Sequence, residues 1–344
     1  MIRLAWPMLR LRRPRQIVVV TGASAGVGRA TAIAFGRRGA HVALLARGRE
    51  QLEGAKREVE AAGGKATVYE VDVADADRVF AVANLVESEL GPIAIWVNNA
   101  MATIFAPVDR ISPVDFKRAT EVTYLGAVYG TMAALRHMAP RGHGTIVQVG
   151  SALSYRAIPL QSAYCGAKFA LRGFTNALRC ELLHNRSPIH LTMVQLAAFN
   201  TPQFNWARNV FPKRPRPIPP IFQPEIAADA VVWAAHHRKR EVWVGGPTYK
   251  AIIANKFLPG LLDDYLAHKA YGGQFTAQDE TPGRPDNLFA PMARDFGTHG
   301  RFDAEARPVS WQFELLSHRG WVAAALIGLG ILAARRSRPP SRRA

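Results

Sequence analysis

The stretch that decides the fold is QIVVVTGASAGVG, residues 16–28, in which an apolar run leads straight into a glycine-rich turn. Residues 17–20 are Ile-Val-Val-Val, typical of a strand that is buried on both faces of a parallel sheet. Glycines in the following turn permit positive φ angles and let a ligand approach bare backbone. A helix expected at about residues 28–38 would direct its free N–H groups toward an anion.

Outward from this stretch, apolar runs alternate with amphipathic segments. Six further strands are expected, at residues 42–45, 67–71, 94–97, 145–149, 190–194 and 242–244. Helices are expected between them, at residues 49–62, 76–90, 113–138, 162–184 and 225–237. Repeated strand–helix units of this kind build a parallel sheet with helices on both faces. The prediction is an α/β protein with a Rossmann-type, doubly wound parallel β-sheet.

The function of the glycine-rich turn is indicated by its position in the predicted sheet. Alone the pattern is weak, but between the first strand and first helix of such a sheet it indicates a site for the pyrophosphate of a dinucleotide. The residues of the turn predicted to bind the cofactor are Gly22, Ser24, Ala25, Gly26, Val27 and Gly28.

The end of the second predicted strand indicates which dinucleotide is bound. Leu45-Ala46-Arg47 contains no acid, whereas an acid at this place would hold the ribose 2′-hydroxyl of NAD. Arg47 can instead hold the 2′-phosphate of NADP through charge-assisted hydrogen bonds. A solvated surface arginine is the alternative. NADP(H) is therefore the preferred cofactor, with NAD(H) as the other candidate.

Tyr164 and Lys168 stand four residues apart in a predicted helix and so share one of its faces. A neighbouring ammonium would lower the pKa of the tyrosine, which could then give or take a proton near neutral pH. Ser151, at the end of the fifth predicted strand, would hydrogen-bond the same substrate oxygen. These three residues are predicted to be catalytic.

Together these motifs resemble a short-chain dehydrogenase/reductase of the shorter, core type. The resemblance covers about residues 14–247, with Asp72-Val73 and Asn98-Asn99-Ala100 in the family's order between the turn and Ser151. It implies an oxidoreductase that transfers a hydride between a nicotinamide and a small carbonyl or alcohol substrate, with Tyr164 as acid and base. It also implies further cofactor contacts: Asp72 and Val73 at the adenine, Asn99 and Ala100 beside the cofactor, Tyr164 and Lys168 at the nicotinamide ribose, and Thr201 by the carboxamide.

Three positions depart from the family's pattern. Thr123 stands where the family usually has a catalytic asparagine, so proton exchange with solvent is expected to be slower or rerouted. Met101 replaces a frequent glycine and would crowd the mouth of the site, and Leu196-Ala197-Ala198 replaces the usual Pro-Gly before Thr201. An epimerase or dehydratase on the same scaffold, and a non-catalytic NADP-binding, membrane-associated protein, are the alternative functions.

Residues 199–223 are expected to close over the substrate. Their large apolar side chains, which would line a lipophilic pocket or pack against the extension or a partner, are Phe204, Trp206, Phe211, Ile218, Ile221 and Phe222. Residues 212–224 contain too many prolines for a helix or an interior strand. Residues 272–310 are predicted to be extended surface wrapping or partly disordered.

The two ends of the chain are strongly basic. Residues 1–15 and 335–344 each carry five arginines and no acid, more than half of the net charge of +18. Such ends suit an anionic membrane surface or solvent, and no specific nucleic-acid binding is expected. Residues 321–334 are uncharged and mostly apolar but shorter than the roughly twenty residues of a membrane-spanning helix. A spanning helix, an interfacial anchor and a soluble packing helix are all considered.

The chain is thus divided into a basic segment (1–15), a catalytic domain (16–247), an extension (248–318) and an apolar helix with an arginine-rich tail (319–344). Its two cysteines, Cys165 and Cys180, fall in one predicted helix, too far apart to pair. There is no metal-ligand spacing, so no metal site is expected. We expect a cytoplasmic homo-oligomer that is attached to the cytoplasmic face of a membrane if the terminal helix acts as an anchor.

Overall fold

The computed structural model describes residues 15–318. Its strands are β1 (Ile17–Thr21), β2 (His41–Ala46), β3 (Lys65–Glu70), β4 (Ile93–Asn98), β5 (Ile104–Phe105), β6 (Thr145–Ser151), β7 (His190–Leu196), β8 (Ala198–Phe199), β9 (Arg208–Asn209), β10 (Lys213–Pro215), β11 (Ile221–Phe222), β12 (Glu241–Val244) and β13 (Phe275–Asp279). Its α-helices are α1 (Gly26–Arg37), α2 (Arg49–Ala61), α3 (Ala76–Glu89), α4 (Pro113–Thr120), α5 (Gly126–Arg141), α6 (Ser162–His184), α7 (Pro224–His236), α8 (Gly246–Phe257), α9 (Pro259–Gly273) and α10 (Trp311–Ser317).

Seven of these strands form one parallel sheet in the order β12-β7-β6-β4-β1-β2-β3. Every residue of β1 is buried, as expected for a strand that helices cover on both faces. The strand order reverses beside β1, which opens a crevice at the carboxyl ends of β1 and β4. The predicted doubly wound Rossmann-type sheet is confirmed.

The alternation of side chains along β1 divides the core between the two faces of the sheet. Val18 and Val20 pack with α1 and α7 on one face, whereas Val19 packs with α3 and α5 on the other. Because the strand is in the middle of the sheet, both sets of side chains are completely buried. This fixes the carboxyl end of β1, and with it the start of the glycine-rich turn.

The segment predicted as one helix at 113–138 is divided. A π-helical turn at Glu121–Leu125 separates α4 from α5, and Ser112 caps α4 by accepting a hydrogen bond from the backbone N–H of Asp115. The proline-rich segment 212–224 is irregular apart from the two short strands β10 and β11.

The extension follows a defined course over the catalytic core. Its strand β13 pairs antiparallel with β10, and the irregular backbone beyond it is anchored by two buried side chains, Leu288 and Phe302. Of the two states predicted for 272–310, surface wrapping is therefore found rather than disorder, because these apolar anchors reach clusters of the core.

The ends of the chain lie outside the described residues, including the predicted apolar helix at 321–334 and nearly all of the basic segment 1–15. Between residues 15 and 318, no helix combines the length and the apolar character needed to cross a membrane. Cys165 and Cys180 both lie in α6 as free thiols. The division of the chain after residue 247 stays a prediction.

Candidate functional site

A cavity of about 1470 Å³ opens at the carboxyl edge of the sheet. It extends past the glycine-rich turn and beneath α8 and α9. It is lined by every predicted site residue except Thr123, namely Gly22, Ser24, Ala25, Gly26, Val27, Gly28, Arg47, Asp72, Val73, Asn99, Ala100, Ser151, Tyr164, Lys168 and Thr201. The fold thus gathers residues that are separated by up to 179 positions in the chain.

The glycine-rich turn is folded tightly against the end of β4. Gly22 has a φ of +66°, and a Cβ at Gly28 would lie only 2.1 Å from the Gly22 carbonyl oxygen. Asn99 closes the turn from the other side, because its side-chain amide donates to the carbonyl oxygens of Thr21 at 3.0 Å and Gly22 at 3.3 Å. Only glycine fits at these two positions, and the result is a shallow cradle of bare backbone.

Arg47 lies at the end of β2 as predicted, but it already has partners. Its guanidinium donates to the carbonyl oxygens of Leu288, at 3.2 Å, and Asn287, both in the extension. Burial lowers the pKa of Arg47, although a guanidinium stays charged at neutral pH. Arg47 therefore links the cavity to a segment 240 residues away.

Asp72 lies at the same end of the cavity, after β3. One carboxylate oxygen accepts from the backbone N–H of Ala74 at 3.0 Å, and the other forms an ion pair with Arg118. The negative charge of Asp72 is thus neutralised locally. This leaves Arg47 as a cation without an ion pair among the described residues.

The three predicted catalytic residues meet in the middle of the cavity. Ser151 ends β6, and Tyr164 and Lys168 lie one turn apart in α6. Lys168 is almost fully buried, and its ammonium donates to the carbonyl oxygen of Val149 at 2.7 Å. Burial lowers the pKa of Lys168 to about 8. An ammonium that loses its proton just above neutral pH is sensitive to whatever occupies the cavity beside it.

The prediction that Lys168 lowers the pKa of Tyr164 is wrong in this structure. Burial raises the pKa of Tyr164 well above its ordinary value, and only the hydrogen-bonding side chain of Ser151 acts in the opposite direction. The ammonium of Lys168 lies 5.6 Å from the centre of the Tyr164 ring and is held by the Val149 carbonyl. Tyr164 is therefore a protonated phenol at neutral pH, suited to giving a proton.

Thr123 is the one predicted site residue that the structure does not bring to the cavity. It is completely buried in the π-helical turn, and its hydroxyl both accepts from the Ala102 N–H at 2.9 Å and donates to the Ala102 carbonyl at 3.0 Å. The side chain is too short to reach further. Thr123 pins the loop after β4, next to Met101, which does line the cavity.

The apolar residues of 199–223 divide between two roles. Phe204, Trp206, Ile218 and Phe222 line the cavity. Phe211 instead packs on Phe275 of β13, with 4.6 Å between ring centres, and Ile221 joins a small buried cluster. Sequence reasoning missed the rest of this apolar wall, which comes from the extension: Ala251, Ala254, Leu262, Tyr265, Leu266, Val309 and Trp311. The available signal was the helical spacing of these positions, at 251 and 254 and at 262, 265 and 266.

Residues 286–300, which we name the strap, run along the other end of the cavity. Asp286 forms an ion pair with Arg208 at 2.8 Å, where the strap begins. The carbonyl oxygens of Met292 and Arg294 then accept from the side chain of Gln51, at 2.6 and 3.2 Å. The strap therefore passes over the first turn of α2.

Beyond α2 the strap crosses the start of α1. Asp295 forms an ion pair with the buried Arg29 at 2.5 Å, and Arg29 also binds Glu58 at 2.8 Å. The backbone N–H of Gly26, in the glycine-rich turn, donates to the carbonyl oxygen of Gly297 at 3.2 Å. The strap ends where Gly300 donates to the carbonyl oxygen of Asn200 at 3.1 Å, next to Thr201.

This chain is similar to known proteins in sequence and in fold. The family model described as short chain dehydrogenase matches residues 16–209. The oxidoreductase YxnA of Bacillus subtilis is 32% identical over 296 residues, which cover 85% of this chain and 82% of the relative. A fatty acyl-CoA reductase of Acinetobacter baylyi is 30% identical over 231 residues, 66% of this chain and 75% of the relative. The crystal structure of a metagenomic short-chain oxidoreductase in complex with NADP superposes with a TM-score of 0.57 and 26% identity, over 67% of this chain and 96% of that one. With its matching sheet, glycine-rich turn and Ser151–Tyr164–Lys168 set, the chain belongs to the short-chain dehydrogenase/reductase family of oxidoreductases.

Proposed function

We propose that this oxidoreductase uses NADP(H) to interconvert a lipophilic carbonyl compound and its alcohol. The observation that carries the proposal is the meeting of Ser151, Tyr164 and Lys168 in the same cavity as the glycine-rich turn. The turn can receive phosphates, and the tyrosine can supply the proton that carbonyl reduction requires. The two parts of the reaction thus have adjoining places in one cavity.

The residues at the turn fit a dinucleotide. The turn leads directly into the amino terminus of α1, and its residues line the cavity at that end of the helix, where backbone N–H groups can bind a phosphate. When bound, NADP(H) supplies or accepts the hydride. The residues that would hold it are Gly22, Ser24, Ala25, Gly26, Val27, Gly28, Arg47, Asp72, Val73, Asn99, Ala100, Tyr164, Lys168 and Thr201. A metagenomic short-chain oxidoreductase was solved in complex with NADP, which supports a nicotinamide cofactor here, and the choice of NADP over NAD rests on Arg47.

The chemistry of the chain itself centres on the substrate oxygen. In reduction, the Tyr164 hydroxyl gives its proton to the carbonyl oxygen as that oxygen gains negative charge. The Ser151 hydroxyl donates a hydrogen bond to the same oxygen and stabilises the charge. The Lys168 ammonium, held at the Val149 carbonyl, does not lower the pKa of the free Tyr164. It lies 5.6 Å from the centre of the Tyr164 ring and supplies a positive charge near the phenolate that forms when the proton leaves. The raised pKa of the free Tyr164 keeps its proton in place at neutral pH, so that the proton leaves only for an oxygen that has gained negative charge.

The preference for NADP(H) is tested at Arg47. Arg47→Asp should weaken NADPH binding roughly tenfold to a hundredfold, because a carboxylate replaces a charge-assisted donor. NADH binding should weaken less, through the lost hydrogen bonds to Asn287 and Leu288 alone. Fluorescence titration of both cofactors gives the two dissociation constants. Arg49→Asp, an exposed position two residues away, controls for net charge. Equal weakening of NADPH and NADH would remove Arg47 as the reader of the 2′-phosphate.

A lipophilic substrate is supported by the apolar wall of the cavity and by the fatty acyl-CoA reductase among the relatives. Burial of each methylene contributes about 0.8 kcal/mol, so the KM of unbranched aldehydes and ketones should fall about fourfold per added carbon while the chain still fits. NADPH oxidation measured along such a series tests this. Leu266→Asp, in the wall, should abolish the trend for long chains and spare the shortest substrate. A KM that does not depend on chain length would contradict the proposal.

The same assay separates the alternative functions. An epimerase or dehydratase would turn over without net consumption of NADPH, and a non-catalytic binding protein would bind NADPH without turnover. One NADPH consumed per alcohol formed is the result expected of the reductase.

Membrane association is a further part of the proposal. The predicted anchor at 321–334 lies outside residues 15–318. The described part of the chain adds exposed apolar side chains at the mouth of the cavity, among them Tyr265 and Trp311, and aromatic side chains of this kind favour membrane interfaces. A homo-oligomeric state and a cytoplasmic location stay predictions.

A further inference from the structure

The strap lies at the places where a dinucleotide's phosphates are expected, and its carbonyl oxygens accept from Arg47 and from the Gly26 N–H, donors that the phosphates would take over when the strap shifts. It is bound to Arg47 at the end of β2, to Gln51 in the first turn of α2 and to Gly26 in the glycine-rich turn. These contacts follow the carboxyl edge of the sheet from the 2′-phosphate position to the pyrophosphate position. The strap therefore forms an outer wall on the phosphate end of the cavity.

The strap is fixed along its length rather than at one point. The buried Arg29 ties Asp295 to α1, and Asp286 and Leu288 are tied to Arg208 and Arg118 on the opposite side. The backbone N–H of Gly297 also donates to the Asp295 carboxylate at 3.0 Å, which holds the turn that meets Gly26. A wall held at both ends cannot move aside without breaking several of these contacts.

Arg294 is the strap's only lysine or arginine. It lines the cavity, it is exposed, and its guanidinium lies 4.3 Å from the centre of the Phe296 ring. Within residues 15–318 its side chain has no ion pair or hydrogen bond, whereas Arg29, Arg118 and Arg208 are all paired with acids. Stacking on Phe296 holds the cation at the wall of the cavity.

We propose that the strap is part of the cofactor site: it covers the phosphate end of bound NADP(H), and Arg294 donates to a cofactor phosphate. This rests on the proposed use of NADP(H) but adds a ligand that lies outside the Rossmann core. It also means that the cofactor enters and leaves only when the strap is displaced. The extension is then a binding element and not only a covering.

The first experiment tests the Arg294 contact by equilibrium binding to the cofactor-free full chain. Arg294→Ala should raise the dissociation constant of NADPH roughly tenfold to a hundredfold, as expected for a lost charge-assisted hydrogen bond. Arg57→Ala removes the same charge from an exposed position of α2 that does not line the cavity, and should have little effect. A selective loss of NADPH affinity identifies the 2′-phosphate as the partner, and an equal loss for NADH identifies the pyrophosphate. Unchanged affinity for both would overturn the contact.

The second experiment locks the strap. A Cβ at Gly48 would lie 3.3 Å from the Pro291 Cβ, close to the separation of about 3.5–4.5 Å found in disulfides. Gly48→Cys with Pro291→Cys, in a Cys180→Ser background, therefore permits a cross-link between the strap and the loop that joins β2 to α2. The Oε1 of Gln51 would lie 2.0 Å from the Cβ at Gly48, so the Gln51 side chain must move and its hydrogen bonds to Met292 and Arg294 are lost. The reduced double variant is therefore the reference for the rates. Cys165 is buried and can stay.

Stopped-flow measurement of NADPH association and dissociation is the readout. The oxidised protein should exchange NADPH about tenfold more slowly or worse, and reduction should restore the rates of the uncross-linked protein. Equal rates in the oxidised and reduced forms would show that the strap is no barrier. A wild-type chain that binds no nicotinamide cofactor at all would instead contradict the proposed function, so the two failures are distinguishable.

Discussion

Tyr164→Phe should leave the dissociation constant of NADPH unchanged and lower kcat by about a hundredfold to ten-thousandfold. The variant keeps the ring that packs in the cavity but removes the hydroxyl that is proposed to give the proton. Single-turnover NADPH oxidation with a saturating substrate measures the chemical step, and fluorescence titration measures binding.

Tyr265→Phe is the matched control, because it removes a tyrosine hydroxyl from the mouth of the same cavity. That variant should keep its activity. Full activity of Tyr164→Phe would remove Tyr164 as the acid, and a parallel loss of NADPH binding would show that it acts through the cofactor site instead.

Lys168→Met should inactivate the enzyme and yet raise the free energy of unfolding at pH 7 by about 1–3 kcal/mol. Burial lowers the pKa of Lys168 from 10.5 to about 8. At pH 7 the side chain is therefore still charged in the folded protein, and this buried charge lowers the free energy of unfolding. Methionine preserves the length of the side chain and removes that charge. The hydrogen bond lost at the Val149 carbonyl offsets part of the gain.

The lowered pKa of Lys168 also predicts how the free energy of unfolding changes with pH. Because the folded pKa lies below the unfolded one, the unfolded chain binds more protons between about pH 8 and pH 10.5. The contribution of Lys168 to the stability of the wild type should therefore become less unfavourable as the pH rises through that window. Urea unfolding at pH 7 and pH 10 should show the advantage of Lys168→Met shrinking. Lys117→Met, at an exposed lysine, should show neither effect. A variant that is less stable than the wild type at pH 7 would contradict the argument.

Much of the core and of the site could be predicted from the sequence, because the patterns that indicate them involve residues close together in the chain. The buried strand at 17–20 and the glycines after it follow from neighbouring residues, and so does the shared face of Tyr164 and Lys168. Those residues are found together in the cavity. From the sequence, Thr123 could be recognised only as a departure from the family's usual asparagine. That its hydroxyl is used up by Ala102 depends on a loop 21 residues away in the chain.

The sequence by itself determined the seven parallel strands, the glycine-rich turn and the place of the Ser151–Tyr164–Lys168 set, because hydrophobic periodicity and helical spacing act over a few residues. The tertiary structure alone decided the raised pKa of Tyr164, which follows from burial by distant segments. It alone also decided the route of the strap, where Arg29 meets Asp295 across 266 residues and Arg47 meets Asn287 across 240. Contacts between residues so far apart in the chain produce no periodic pattern in the sequence, because each contact forms only once the rest of the backbone has folded and brought the two residues together.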